Sequence, residues 1–282
     1  MKKCVICKGK KIRLKFHHKG FAILECKSCH MVFVDPDSVD KNYQKQYVEN
    51  VSSPLDYYKA IESYDEKSFK ERLNLLNKYF PKSRSLLEIG SNTGTFLKTA
   101  KNIGWNVTGI EPNKLICKEF MKKNKNIKIY KNFFDKEFIK KHKKKYDLIY
   151  SSDVIEHVHN PVEFMSLTKK LLKKDGLVVT ITPDFDNILS KLFQIKPTEH
   201  LIYLNKKNIK ELYKRAKQNI IEVKNIHRYR NLNGMLYSTT FTDKNNRGNL
   251  YGLVKLINLF KIKKFVEFIL DFFKEDIFVV SR

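Results

Sequence analysis

The chain is poor in several residue types that usually mark a special environment. Among 282 residues it has 10 Gly, 7 Pro and a single Trp, and only 8 of its 56 basic residues are Arg. No apolar stretch approaches the roughly 18 consecutive residues that a membrane-spanning helix needs, because Lys, Glu or Asp interrupts each one. Residues 1 to 25 alternate Lys with Cys and His and carry no apolar core of a secretory signal, so a cytoplasmic location is expected. Acid is short as well: 30 Asp and Glu face 56 Lys and Arg, for a formal net charge of +26. Such a balance ordinarily points to nucleic acid, an anionic membrane surface or a polyanionic substrate. The scarcity of Arg, the planar bidentate donor that suits phosphates and base edges, weighs against nucleic acid. A solvated lysine surface is the simpler reading, and attraction of an anionic substrate or membrane the sharper one.

What is present is enough for a full α/β core with a small accessory module, since 42% of the residues are hydrophobic. The most informative segment is Leu86-Leu87-Glu88-Ile89-Gly90-Ser91-Asn92-Thr93-Gly94-Thr95-Phe96-Leu97. An apolar run ends in an acid and a Gly-spaced turn, then resumes with helical periodicity. The run suits a strand covered on both faces, and the glycines permit backbone angles and close ligand approach that a side chain would block. Backbone N–H groups at the start of the next helix would face the ligand.

Downstream, Trp105-Asn106-Val107-Thr108-Gly109-Ile110-Glu111-Pro112 reads as a strand ending in an acid about 20 residues past the loop, placed to accept hydrogen bonds from a ribose diol. Ile127 to Tyr130 runs into Asn132-Phe133-Phe134-Asp135, a turn suited to an adenine edge, and Tyr146 to Asp153 forms a fourth strand with a polar end. Strands alternating with helices at this pitch predict a parallel, doubly wound sheet with ligands at the carboxyl ends of the strands.

Four of the five cysteines, Cys4, Cys7, Cys26 and Cys29, form two C-x2-C pairs separated by 18 residues. Each pair can place two sulfurs on one edge of a metal, and four thiolates close a tetrahedral structural Zn2+ site with no open position. His17, His18 and His30 are left to surface or supporting roles. Between the pairs, Ile12 to Phe16 and Phe21 to Glu25 alternate as a hairpin with Lys19-Gly20 at the turn. Cys117, in a helical pattern with Leu115, Ile116 and Phe120, reads as a buried small hydrophobe.

The order E-I-G-S-N-T-G, G-I-E-P, Y-D-L-I-Y-S-S-D-V-I-E-H-V and L-L-K-K-D-G-L-V-V-T resembles the class I S-adenosylmethionine-dependent methyltransferases over about residues 64 to 282. Glu156-His157-Val158 with Asn160-Pro161 is similar to the small-molecule branch. Cys26 to Pro36 resembles the zinc-binding region that precedes methyltransferase domains acting on sugars and other small metabolites. Gly90 to Gly94 is like the G-S-N-x-G form of deoxysugar C-methyltransferases. The resemblance implies that Gly90, Ser91, Asn92 and Gly94 surround the methionine part of S-adenosylmethionine, and that Glu111, with Pro112, meets its ribose. It further implies that Glu88 fixes the loop from beneath, that Ser151 and Asp153 share the cofactor edge, and that Asn132 stands where an acid often contacts adenine. Asn92 replaces the commoner middle glycine, and Asn is the side chain that best tolerates left-handed angles.

Methyl transfer from a sulfonium needs the acceptor positioned and, for a hydroxyl, a proton removed. His157, after the fourth strand, and His200, in Pro197-Thr198-Glu199-His200-Leu201, are the expected catalytic bases, with capping of a helix or a backbone group as the bland alternative. His142, inside a Lys run, is expected to be solvated. Asp153 with Glu156, and Asp184 with Asp186, are expected as carboxylates near the cofactor or acceptor.

In the last third, Asn205 to Lys217 reads as a helix, Ile220 to Val223 as a strand and Phe278 to Val280 as a closing strand. Leu253, Leu256, Ile257, Phe260, Phe265, Ile269, Phe272 and Phe273 recur at helical spacing among lysines, as core, lid or a basic helix lying on a membrane. The expected organisation is a zinc-ribbon module over 1–37, a linker or lid over 38–63 bearing Tyr43, Tyr47, Tyr57 and Tyr58, and a methyltransferase domain over 64–282. The expected fold is a Rossmann-like doubly wound sheet with an antiparallel final strand. The expected function is methylation of a small acceptor, a hydroxyl of a sugar nucleotide or surface-glycan precursor; an rRNA or tRNA base methyltransferase and a non-catalytic cofactor-binding scaffold are the alternatives.

Overall fold

A computed structural model describes residues 2–39, 55–80, 82, 84–229 and 274–282. Tyr43, Tyr47, the side chain of Tyr57 and the apolar repeat from Leu253 to Phe273 lie outside the described residues.

The amino-terminal segment folds as the sequence suggests. Strands β1 (Ile12–His18) and β2 (Phe21–Cys26) pair antiparallel through Lys19 and Gly20, both at positive φ (51° and 82°). Two left-handed residues are what a two-residue hairpin turn requires, because that twist matches the twist of the strands. Strand β3 (Val32–Val34) pairs with β2.

The larger unit begins with α1 (Leu55–Leu76) and β4 (Ser85–Ile89), followed by α2 (Thr95–Asn102), β5 (Asn106–Ile110), α3 (Lys114–Lys123), β6 (Lys128–Tyr130), α4 (Lys136–Lys141) and β7 (Tyr146–Ser152). It continues with α5 (Pro161–Lys170), β8 (Leu172–Pro183), α6 (Ile188–Phe193), β9 (Ile202–Tyr203), α7 (Lys206–Arg215), β10 (Ile220–Ile226) and β11 (Asp276–Ser281). Seven strands form one sheet in the order β10-β11-β8-β7-β4-β5-β6. Pairs from β6 to β8 are parallel, while β11 runs antiparallel to both β8 and β10. This is the expected Rossmann-like sheet with its antiparallel finish.

Period-two alternation covers both faces of the sheet. Leu86, Leu148, Tyr150, Val179 and Phe278 join one apolar cluster with Leu73 and Leu76 of α1, Phe96 and Leu97 of α2 and Phe120 of α3. Their strand neighbours Leu87, Ile149, Val178 and Ile277 join another with Phe138 of α4, Phe164 and Met165 of α5 and Ile209 and Leu212 of α7.

The second cluster also contains Cys4, Ile6, Leu24, Met31 and Phe33, so the ribbon shares a core with the large sheet. Fully burying side chains such as Met31 and Phe33 is worth roughly 1.5–3 kcal/mol each. The contact extends to the backbone, since β9 pairs antiparallel with β3 and completes a four-stranded sheet β1-β2-β3-β9.

Candidate active site

Strand β4 has β5 on one side and β7 on the other, so the chain reverses direction across the sheet at their carboxyl ends. That switch point is where open α/β sheets leave a crevice for ligands. Residues Gly90 to Gly94 occupy it. Gly90 and Ser91 both donate their N–H to Ile110 O (2.9 and 3.0 Å), and Gly94 N donates to Ser91 O at 2.8 Å before α2 begins. Gly90, Asn92 and Gly94 all have positive φ (75°, 45° and 76°), so Asn92 adopts the left-handed angles expected of it.

The glycines have a second role that the sequence did not show. A Cβ on Gly90 would lie 2.4 Å from Val154 Cγ2, and one on Gly94 2.1 Å from the Phe120 ring. The space that glycine leaves is filled by two protein side chains that clamp the loop.

Glu111 follows β5 and is buried. Its Oε2 accepts the N–H of Asn92 and its Oε1 the N–H of Asn113, both at 2.9 Å. Asn113 then caps α3 by accepting from Leu115 N and Ile116 N. Burial pushes the Glu111 carboxyl up to about 6, opposed by its two backbone donors. Glu88, one strand over and paired in register with Gly109, is buried too, with Oε2 lacking a hydrogen-bond partner. Burial and the charge of Glu111 raise it well above the usual carboxylate range. Two buried carboxyl groups beside the loop, one with an oxygen lacking a hydrogen-bond partner, could meet a ligand that is cationic or rich in donors.

Ser151 is buried at the end of β7 with Oγ unpartnered, and Asp153, two residues on, sits at φ 56°. Asp153 is held by a charged network absent from the sequence reading. Arg228 Nη2 donates to Asp153 Oδ1 at 2.5 Å and Arg228 Nε to Asp276 Oδ2 at 2.8 Å. Arg72, on α1, donates to Ser152 Oγ (3.1 Å) and to Asp276 Oδ2 (2.8 Å). Burial opposes ionisation of Asp153, but the guanidiniums of Arg228 and Arg72 outweigh it and hold the carboxyl far below its ordinary range. The network joins residues up to 204 positions apart. The one signal for it was Arg72 itself, an Arg in a lysine-rich chain placed one turn from Leu76.

Glu156 is 2% exposed and its Oε2 accepts from Thr182 Oγ1 at 3.1 Å, whereas Oε1 has no partner. Burial and the nearby Asp153 push its carboxyl up to about 8. The rings of His157 and His200 meet edge to face with centroids 4.8 Å apart. His157 Nδ1 bonds Glu199 O and His200 Nδ1 bonds Gln194 O, each at 2.8 Å. Burial lowers both histidines, His200 strongly, and so favours their neutral forms. The two expected bases therefore share one spot with Glu156.

Other expected residues are placed elsewhere. Pro112 is half-buried between Glu111 and Asn113. Asn132 is exposed after β6 and lines a cleft of about 310 Å3 with Tyr130, Asp135 and Lys144. Asp184 and Asp186 are engaged locally: Asp184 accepts from Asp186 N and Asn225 Nδ2, and Asp186 accepts from Asn205 Nδ2. His142 is not solvated as its lysine neighbours suggested. It is buried, stacks on Phe138 and Tyr146 and bonds the Tyr146 hydroxyl at 3.0 Å, because as the C-cap of α4, its N–H bonded to Phe138 O, it faces the core.

The four amino-terminal cysteines converge with sulfurs within 4.8 Å of one another. Cys4 Sγ lies 3.5 Å from Cys29 Sγ, and Cys7 Sγ 3.5 Å from Cys26 Sγ. These separations are far beyond a disulfide's ~2.05 Å and near the ~3.8 Å between thiolates on a tetrahedral metal with bonds of about 2.3 Å. Ile6 N and Gly9 N donate to Cys4 and Cys7 sulfur (3.4 Å each), which stabilises thiolate charge. The donor set fits Zn2+. Cys117 is buried on α3 as expected.

A family model described as a methyltransferase domain matches residues 61–223. The chain is 32% identical over 124 residues to a ubiquinone biosynthesis O-methyltransferase of Pelagibacter ubique, covering 43% of this chain and 50% of that protein. It is 30% identical over 106 residues to a protein of the same name in Glaesserella parasuis, covering 35% and 45%. It thus spans about half the length of these curated relatives. Among solved structures it is similar to a SAM dependent methyltransferase from Archaeoglobus fulgidus, with a TM-score of 0.54, 20% identity and coverage of 80% of this chain and 98% of that one. At that identity the likeness concerns the fold, and the sheet described above agrees with it. No helix among the described residues is long and apolar enough to cross a membrane. Because the family match runs over more than half of the chain and contains the Gly90 to Gly94 loop, Glu111 and the Glu156-His157-His200 cluster, the protein belongs to the methyltransferase-domain family.

Proposed function

We propose that this protein transfers the methyl group of S-adenosylmethionine to a hydroxyl of a small acceptor. The observation that carries the reading is the Glu111 carboxylate, buried at the switch point and bonded to the loop amide of Asn92. Each of its oxygens keeps a further lone pair for a ribose hydroxyl. In this reading Gly90, Ser91, Asn92 and Gly94 surround the methionine part, Pro112 supports Glu111, and Glu88 faces the cofactor ammonium, whose positive charge would offset the cost of ionising that buried acid. Ser151 and Asp153 border the reacting end, and Asn132 takes the adenine edge. His157 and His200 stand where the acceptor loses its proton. The acceptor oxygen forms a bond to the methyl carbon, the carbon–sulfur bond breaks, and its electron pair stays on sulfur as a neutral thioether.

A hydroxyl acceptor is supported by the relatives named as O-methyltransferases. The sequence of the glycine loop and of Cys26 to Pro36 favours a sugar nucleotide or glycan precursor among hydroxyl acceptors. Zn2+ on Cys4, Cys7, Cys26 and Cys29 would close a structural ribbon over residues 1–37, ahead of a connecting segment at 38–63 and the catalytic domain at 64–282. Incubation with methyl-labelled S-adenosylmethionine and separate pools of nucleotide sugars, phenolic hydroxyl compounds and RNA tests the proposal. Label in a hydroxyl-bearing small molecule is expected; label in RNA alone would refute it.

A further inference from the structure

The four-cysteine cluster is tied by hydrogen bonds to the segment that carries His200. The knuckle after Cys26 is closed by His30 N, which donates to Cys26 O at 2.8 Å, and by Cys26 N, which donates to Met31 O at 2.9 Å. The chain then enters β3, which pairs with β9 in the register Val32 to Tyr203 and Phe33 to Ile202. Asn208 is buried at the same junction: its Nδ2 donates to His30 O at 3.4 Å and to Tyr203 O at 3.1 Å, while its Oδ1 accepts from Asn205 N. Just before β9, Leu201 N donates to Glu156 O at 2.8 Å, and Val34 N donates to Leu201 O at 2.9 Å. A rearranged knuckle therefore reaches the neighbours of Glu156 and His200 through backbone that is already bonded to both.

Within the cluster the sulfurs are not equally sheltered. Cys4 and Cys26 are fully buried, whereas Cys7 is half-buried and has the exposed Lys8 and Lys10 beside it. A thiol on a metal is deprotonated, and partial exposure among positive charges is the setting of a reactive thiolate. Cys7 Sγ lies 3.5 Å from Cys26 Sγ, so an approach of about 1.5 Å closes a bond of ~2.05 Å.

We propose that the ribbon is a peroxide-sensitive switch: Cys7 is oxidised first and closes a disulfide with Cys26, and the loss of these two ligands releases the metal and loosens Leu201 to Leu204. The Cys7 thiolate attacks one oxygen of hydrogen peroxide, the O–O bond breaks, hydroxide leaves and a sulfenic acid forms. The Cys26 thiolate then attacks that sulfur, the S–O bond breaks and a second hydroxide leaves. Two protons from solvent convert both hydroxides to water, so the sulfurs lose two electrons and the peroxide gains two. Cys4 and Cys29, with sulfurs 3.5 Å apart, remain as a pair, too few for a closed tetrahedral shell. An effect on methyl transfer, through the displaced His200, rests on the function proposed above; the oxidation and the loosening do not.

The test uses the full chain loaded with one zinc per chain and treated with hydrogen peroxide. Zinc release is followed with a chromogenic chelator, and disulfides are mapped by mass spectrometry of unreduced peptides. One zinc per chain should leave as a Cys7–Cys26 disulfide forms, and dithiothreitol with Zn2+ should reverse both. Amide exchange at Leu201 to Leu204 should accelerate roughly tenfold or more in the oxidised chain. Cys117→Ser should respond as the wild type does, because Cys117 is buried on α3, outside the ribbon. Zinc retained under excess peroxide would overturn the inference, as would a first disulfide that leaves out Cys7, or exchange at Leu201 to Leu204 unchanged by zinc release. Calorimetry with S-adenosylhomocysteine separates the two readings: a reduced chain that fails to bind it sinks methyl transfer and leaves the switch standing, whereas a chain that binds it yet keeps its zinc under peroxide sinks the switch alone.

Discussion

Glu111 holds the loop through Asn92: its carboxylate accepts that residue's N–H at 2.9 Å from a position 19 residues away in the chain. The acid proposed above to meet a ribose is also the fastener of the loop proposed to surround the ligand. Its protonation therefore changes the loop and the binding site together.

The first consequence is a pH dependence. The folded-state pKa of Glu111 is pushed up to about 6, against about 4.3 for a free Glu. A raised acid stabilises the fold fully below its unfolded pKa, and that contribution, about 2 kcal/mol, is lost as pH rises through about 4.3 to 6. Ribose hydroxyls favour the ionised form, so affinity for S-adenosylhomocysteine should rise about tenfold from pH 5 to pH 7 and then level off. Calorimetry across that range is the check, and Glu111→Gln should flatten the curve. A flat wild-type profile would count against the ribose role.

Gly94→Ala should destabilise far more than Gly20→Ala, although both residues have positive φ (76° and 82°). A left-handed alanine costs about 1–2 kcal/mol at either position. At Gly94 the new Cβ would also meet the Phe120 ring at 2.1 Å, whereas Gly20 faces nothing within 4 Å. Overpacking adds about 1–3 kcal/mol. Denaturant melts should show the difference, and Phe120→Leu should recover part of the Gly94→Ala loss. Equal losses for the two glycines would mean that Phe120 moves aside freely.

Arg72→Met should cost about 3 kcal/mol, because it strips a donor from the fully buried Asp276 and leaves charge poorly compensated in the core. The double variant with Asp276→Asn should be less damaged than the sum of the single changes, since the two groups share one interaction. Additive losses in thermal melts would show that the pair is not coupled.

Removing metal from the cysteine cluster should reach beyond the ribbon. Strand β3 pairs with β9, immediately after His200. Hydrogen exchange after chelation should therefore accelerate at Val34 and across Leu201 to Leu204 as well as in residues 2–31. Exchange confined to residues 2–31 would show that the His200 segment is held without the ribbon.

Much of this was legible in the sequence for local reasons. The C-x2-C pairs, the hairpin turn at Lys19-Gly20, the apolar runs of β4 and β7 and the Gly-spaced turn are set by neighbours within a few residues. Asn92 in a left-handed conformation follows from the same short-range sterics. Long-range pairings were not legible, because nothing local to Arg72 names Asp276 and nothing in the ribbon names Ile202. His142 shows the limit from the other side: its lysine neighbours suggested solvent, yet its place at the C-cap of α4 turned it into the core between Phe138 and Tyr146.

By itself, then, the sequence determined the hairpin, most strands of the large sheet, the loop, the thiolate set and the acid after β5, since each depends on period, spacing and backbone sterics, whereas the short strands β3 and β9 were not legible in it. Only the tertiary structure decided that Glu156, His157 and His200 meet, that two arginines share Asp276 while one of them holds Asp153, and that ribbon and catalytic sheet share one core. Those are packing outcomes between segments far apart in the chain, fixed when buried charge must find a partner and apolar faces must find each other.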